Sequence, residues 1–160
     1  MTAVMSQERP TSWSHPPCST EVAFETTLRV RFSDVDAAGV VYFSRIYEYC
    51  HAAFEDMLRA AQMPLEGLLH ATGWGMPLVH SEADYHRPLR LGECLQVEVE
   101  VEKCTDRRVT FSFRIVDEQG QVRARASHEH ACVGMEDFRP REVPSVFLDG
   151  LARLGLIDKI

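Results

Sequence analysis

Two aspartates two residues apart, Asp34 and Asp36, stand just ahead of three small residues and an apolar run in FSDVDAAGVVYF, residues 32 to 43. Carboxylates are costly to bury, so their place before apolar sequence needs a physical reason. Asp36 falls between a strand pattern and a helix pattern, three residues before Gly39. A glycine there lets the backbone approach a ligand closely, and the free N–H groups of a first helical turn near Val41 to Ser44 would point into the same space. A carboxylate on one side of a carbonyl, with backbone donors where negative charge develops, is the arrangement acyl transfer requires. The same residues would also serve if Asp34 or Asp36 caps the helix or closes an Asx turn, and spacing leaves both uses open.

Other groups with chemical capacity follow. His51 and Glu55 are four residues apart and share a helix face with Tyr47, so the histidine either meets a ligand or is simply paired with the glutamate. His80 closes the PLVH segment, where it lines a pocket or ends a strand. Arg107 and Arg108 sit between two strand patterns; adjacent arginines in a turn are usually just solvated, although a guanidinium fork suits phosphate. His128, His130 and Cys132 alternate and so share one strand face, a spacing that packs more often than it binds metal; no further ligand is placed beside them.

The elements that must position these residues read as follows. EVAFETTLRVRF alternates like a strand, with Thr27, Arg29 and Arg31 between Leu28, Val30 and Phe32. After Gly39, Ile46, Cys50, Ala53, Phe54, Met57 and Ala61 recur at helical spacing, predicting an amphipathic helix of about five turns that ends at Met63-Pro64. LEGLLHATGWG predicts a short helix or turn, and MPLVHSEADYHRP a strand. CLQVEVEVEKC, RRVTFSFRIVD and QVRARASHEHACVGM then predict three long antiparallel strands in succession, with a hairpin turn at EQG. Glu98 and Glu100 could pair across strands with Arg114, Arg123 or Arg125. The C-terminal VPSVFLDGLARLGLIDKI, in the segment 141–160, has helical spacing at Val146, Leu148, Leu151 and Leu154.

The sum is one α+β domain over residues 21–140: a curved antiparallel sheet of about five strands wrapped around one long central helix. One helix cannot cover so wide a sheet, so a homo-oligomer, a dimer or a dimer of dimers, is expected to protect the remaining apolar surface and edges. Residues 1–20, with three prolines and many Ser and Thr, predict a poorly ordered arm.

Bulk properties narrow the function classes. A formal charge of -7 and no Lys/Arg cluster longer than a pair argue against nucleic acid as a partner. No apolar stretch approaches a membrane span, and the N-terminus lacks the apolar centre of a secretory signal, so the chain reads as cytoplasmic with no membrane partner. Five scattered cysteines without a C-x-x-C pair read as reduced thiols in small apolar roles.

At this point the residues carry a resemblance. RFSDVDAAGVVYFSRIYEYCHAAFEDML, GMPLVHSEADYHRPLRLGECLQVEVEV and ARASHEHACV, over roughly residues 24 to 140, resemble the hotdog-fold acyl-CoA thioesterases of the 4-hydroxybenzoyl-CoA thioesterase type. AAGVVYF, CHAAFE and PLVH look closest to their 1,4-dihydroxy-2-naphthoyl-CoA hydrolase branch, which serves menaquinone and phylloquinone biosynthesis. The resemblance implies a hotdog fold and hydrolysis of an acyl-CoA thioester. It makes Asp36 the catalytic carboxylate, as nucleophile or as base for water, and makes the Phe43 N–H the polariser of the thioester carbonyl, with Gly39 leaving room. It assigns Tyr47, His51, Glu55, Met76 and His80 to the substrate pocket and Arg107 and Arg108 to the coenzyme A phosphates. In the hydroxybenzoyl enzyme the position of His51 is an aspartate that meets the substrate phenol and that of Met76 a threonine, which implies a larger or more apolar acyl group here. No cofactor and no metal are implied, coenzyme A being part of the substrate. A generic short- or medium-chain acyl-CoA or acyl-carrier-protein thioesterase, and a non-catalytic acyl-CoA binder, are the other readings. Dehydration or hydration of an acyl thioester would need a histidine close to the aspartate in sequence, and none stands near Asp36.

Overall fold

The computed structural model describes residues 24–71 and 73–158. The segment expected to form the N-terminal arm, with Cys18, lies outside the described residues. Seven strands and three α-helices follow in chain order: β1 (Phe24–Arg29), α1 (Arg45–Ala60), α2 (Leu65–Ala71), β2 (Trp74–Gly75), β3 (Leu78–Tyr85), β4 (Cys94–Cys104), β5 (Arg108–Asp117), β6 (Val122–Ala131), β7 (Val133–Gly134) and α3 (Ser145–Arg153). Five strands form one antiparallel sheet in the order β1-β4-β5-β6-β3, and β2 and β7 pair separately.

Strict alternation on the three long strands creates the core face. Leu95, Val97 and Val99 on β4, and Val109, Phe111, Phe113 and Ile115 on β5, are buried, while Glu98, Glu100, Ser112 and Arg114 between them face outward. On that outer face Glu98 and Arg114 are register partners and form an ion pair at 2.8 Å. Arg123, also considered as a partner for these carboxylates, instead binds Asp117 at 3.0 Å and Glu93 at 3.1 Å.

Helix α1 lies against this core face because its own stripe repeats at three and four: Ile46, Tyr49, Cys50, Ala53, Phe54, Met57 and Leu58 are all buried. It runs for 16 residues, close to the five turns expected, but begins at Arg45 rather than near Val41. Its C-terminus closes in a Schellman motif, with Gln62 at φ 61° and the Met63 N–H donating to the Leu58 carbonyl at 2.8 Å. Arg153, from α3, donates to the neighbouring Ala61 carbonyl at 2.8 Å, and the buried Phe147 and Leu151 of α3 join the same core. The C-terminal helical pattern thus covers the far end of α1.

Strand β1 ends at Arg29, three residues before its alternation does. Val30 is buried, but Phe32 is 81% exposed because the chain has turned into a 3₁₀ turn, Phe32–Asp34. Strand β3 is an edge strand, exposed at seven of its eight positions. Leu78 (47%), Val79 (49%) and Tyr85 (50%) are exposed there, an apolar edge of the kind proteins cover. Among the described residues no helix is long and apolar enough to cross a membrane. The four described cysteines are free, with Cys50 and Cys132 buried.

Two histidines interrupt the apolar face of β6. His128 and His130 are almost fully buried; the His130 ring stacks on Phe54 at 4.7 Å, and His128 lies parallel to Tyr47 at 6.1 Å. His130 Nδ1 is 2.8 Å from the Met76 carbonyl, which fixes the proton on Nδ1, whereas both nitrogens of His128 are buried without a partner. Burial, with the nearby His130 and His51, pulls the His128 pKa down to about 4, and burial also lowers that of His130. Both rings are therefore neutral at pH 7. The unfolded chain binds more protons than the native one at pH values between the folded pKa and the ordinary value near 6.5, so stability falls as pH drops through that window. Urea unfolding is expected to show a loss from His128 of roughly 2 to 3 kcal/mol between pH 7 and pH 4.5. His128→Phe should flatten that part of the profile.

Candidate active site

The loop between β1 and α1 is built from backbone bonds closed on themselves. Asp36 N–H donates to the Val40 carbonyl at 2.9 Å, and Gly39 N–H to the Asp36 carbonyl at 2.9 Å. Val35 and Val41 form an isolated bridge. Gly39 sits at φ +77° with nothing within 4 Å of the place a Cβ would occupy, so conformation, not space, selects glycine here. The two aspartates go different ways. Asp34 is 7% exposed. Its Oδ2 accepts from the Arg31 N–H at 2.9 Å and the Tyr49 hydroxyl at 2.8 Å, and Arg45 Nε lies 4.0 Å from its Oδ1. Burial pushes the Asp34 pKa up, but those donors and the Arg45 charge outweigh it and hold the carboxylate below its ordinary value. Asp36 is exposed, and its Oδ1 accepts the Ala38 N–H at 2.8 Å, an Asx turn.

The turn beyond Gly39 is not the first turn of the helix. Val41 N–H is taken by the Leu89 carbonyl at 2.8 Å, and Tyr42 N–H by the Asp34 carbonyl at 2.8 Å. The helix begins at Arg45, so the expected row of free donors from Val41 to Ser44 shrinks: Val41 and Tyr42 are occupied, and the Phe43 N–H has no acceptor among the described residues. The Phe43 carbonyl accepts the Tyr85 hydroxyl at 2.8 Å, which ties this turn to the end of β3.

Asp36 and Phe43 border the same cleft. It has a volume of about 390 Å³; Val40 to Phe43 and Ile46 form one wall, and Tyr85 to Leu89 with Arg123 and Ala124 the other. Arg123 braces that second wall: its guanidinium, buried against Asp117 and Glu93, also donates to the Pro88 carbonyl. The lining is chiefly apolar and aromatic, with the Asp36 carboxylate exposed to it.

The other residues singled out in the sequence do not line this cleft. Tyr47 lies near Tyr85 and faces His128, so it adjoins the cleft through Tyr85. His51 Nε2 and Glu55 Oε1 are 3.2 Å apart on the exposed face one turn further along α1. Met76 is half-buried and gives its carbonyl to His130, and His80 Nε2 lies 3.6 Å from Glu82. Arg107 and Arg108 stand at the opposite end of the sheet. The cleft touches the start of β6 and the end of β3, whereas Arg108 opens β5 opposite Ala131, roughly 30 Å away along a ten-residue strand. Arg108 is bonded to Glu129 at 2.5 Å, and Arg107 makes no ion pair among the described residues. Within one chain, therefore, Asp36 and Phe43 are far from the basic pair.

Sequence reasoning did not identify the second wall of the cleft, nor Tyr49. The wall has no periodic signal, but a tyrosine inside the apolar stripe of α1 was a cue, since a buried phenol needs a partner.

A family model described as the thioesterase-like superfamily matches residues 30–151. The chain belongs to this superfamily. The thioesterase-like chain is 32% identical over 128 residues, 79% of its length and 90% of the relative's, to a 1,4-dihydroxy-2-naphthoyl-CoA hydrolase of Gloeothece citriformis. It is 29% identical over 122 residues, 76% of its length and 88% of the relative's, to another from Synechocystis sp.. The crystal structure of a 1,4-dihydroxy-2-naphthoyl-CoA thioesterase from Synechocystis superposes with a TM-score of 0.78 at 27% identity, over 84% of this chain and 98% of that one. The sheet around a central helix is thus the hotdog-like thioesterase fold.

Because Gly39 holds a left-handed conformation in open space, Gly39→Ala should cost about 1 kcal/mol of stability and Gly39→Asn less, as read from denaturant midpoints.

Proposed function

We propose that the chain hydrolyses an acyl-CoA thioester with an aromatic acyl group, such as 1,4-dihydroxy-2-naphthoyl-CoA, to the free acid and coenzyme A. The observation that carries this reading is the shared cleft: the exposed Asp36 carboxylate and the unpartnered Phe43 N–H border one largely apolar opening. Such a pair supplies the two needs of thioester cleavage, a group that attacks or activates water and a donor for the oxyanion. Tyr42, Phe43 and Tyr85 around the opening favour a flat acyl group. The names of the curated relatives support the same substrate.

In this reading the thioester oxygen lies at the Phe43 N–H and Gly39 leaves the loop free to approach it. Asp36 either attacks the carbonyl, expelling the thiolate of coenzyme A and leaving a mixed anhydride for water to open, or removes a proton from the attacking water. Both routes end at carboxylic acid and thiol, and neither requires a cofactor. Cytoplasmic acyl-CoA is the source of substrate this reaction calls for.

The site is completed by a second copy. Antiparallel pairing along the exposed edge of β3 would set Tyr85 of one copy beside Leu78 of the other, bringing the end that holds Arg107 and Arg108 to the neighbouring cleft. There the two arginines would meet the coenzyme A phosphates, and Tyr47, His51, Glu55, Met76 and His80 would shape the acyl pocket.

Asp36→Asn is expected to lower thiol release, followed with Ellman's reagent, by at least about a hundredfold while coenzyme A still binds; unchanged turnover overturns the assignment. On a panel of naphthoyl, benzoyl, phenylacetyl and straight-chain acyl-CoA substrates, kcat/KM should be highest for the aromatic ones, and a preference for short straight chains rejects the aromatic reading. Light scattering should give a dimer or a dimer of dimers, and Leu78→Glu should yield monomers with little activity.

A further inference from the structure

The buried stripe of α1 carries one hydroxyl, that of Tyr49, in a ring only 8% exposed. Phenylalanine would fill the same space and leave the stripe apolar, so packing alone does not call for the oxygen. Its hydrogen bond goes to Asp34 Oδ2 at 2.8 Å, and that same carboxylate oxygen accepts the Arg31 N–H at 2.9 Å. Asp34 is held at its main chain as well, its carbonyl accepting the Tyr42 N–H at 2.8 Å. One residue thereby joins the exit of β1, the returning limb of the loop and the second turn of the helix.

Both proposed reacting groups hang from this joint. Asp36 follows Asp34 by two residues, and Phe43 follows Tyr42 directly. Without the phenol, the Asp34 carboxylate keeps the Arg31 N–H and the longer 4.0 Å approach of Arg45 at the start of α1, but loses its hydrogen bond to the second turn of the helix, so the loop is held less firmly and can shift relative to α1. Displacements of an ångström between reacting groups and substrate are enough to slow an enzyme markedly. We infer that Tyr49 is a positioning residue for the thioester hydrolysis proposed above: its hydroxyl, acting through Asp34, fixes Asp36 and the Phe43 N–H relative to the helix. Tyr49 does not line the cleft.

This inference rests on that proposed reaction, and the test separates the two. If the unmodified protein releases no coenzyme A from any acyl-CoA in the panel, the reaction itself is wrong. Given turnover, Tyr49→Phe is expected to lower kcat about tenfold with KM within about twofold, and to speed amide exchange across residues 34–43. Asp34→Asn combined with Tyr49→Phe should be no slower than the slower of the two single variants, because both act through one bond. An unchanged kcat in Tyr49→Phe, whatever its melting temperature, overturns the inference. So does a double variant whose loss is the product of the single losses. If Asp34→Asn does not fold, kcat and loop exchange in Tyr49→Phe decide alone.

Discussion

A carboxylate buried where the sheet hands the chain to the helix is the joint on which the rest depends. Asp34 is costly to bury, and the structure meets that cost with a backbone amide, a phenol and a nearby guanidinium. Because these donors come from the exit of β1 and from α1, satisfying the charge also fixes where the two lie. The loop that presents Asp36 is short and closed by its own amides, so its position follows from that anchor. A charge that needs partners thus helps locate a loop whose own packing against the core comes from the half-buried Val35 and Val41.

The sheet and helix supply the stiff frame around that joint. Alternation on β4 and β5 gives one continuous apolar face, and the three-and-four repeat of α1 gives the matching stripe. The same frame leaves β3 uncovered, with apolar side chains exposed along an unpaired edge. In the proposed assembly that edge is shared between copies, which would bring the basic pair at one end of the sheet to the cleft at the other end of its neighbour.

The elements were legible where a period was long and uninterrupted. The three long strands and the helix follow from residue spacing alone, because burial of one face imposes period two on a strand and about 3.6 on a helix. Ends were less legible. Phe32 continues the β1 alternation yet is exposed, since Asp34 pulls the chain into a turn before it can reach the core. The helix starts at Arg45, four residues after Val41, because Val41 and Tyr42 spend their amides on Leu89 and Asp34. Those acceptors are distant in sequence or conformationally specific, and no local pattern announces them.

By itself, then, the sequence determined the α+β layering and marked the Asp34–Gly39 turn ahead of a helix, because these depend on local spacing and on the conformational freedom of one glycine; the choice of Asp36 and of the Phe43 N–H came with the family resemblance. Tertiary structure decided which aspartate is buried and which borders the cleft, and that the Val41 and Tyr42 amides are occupied while that of Phe43 is not. It also decided that Arg107 and Arg108 stand at the far end of the sheet from Asp36, and that His128 and His130 pack as neutral rings against α1. These outcomes turn on partners from Leu89, Tyr49, Tyr85 and Met76, brought together by long-range pairing. A one-dimensional pattern fixes periods and local conformations, whereas hydrogen-bond partners across tens of residues exist only once the sheet has closed on its helix.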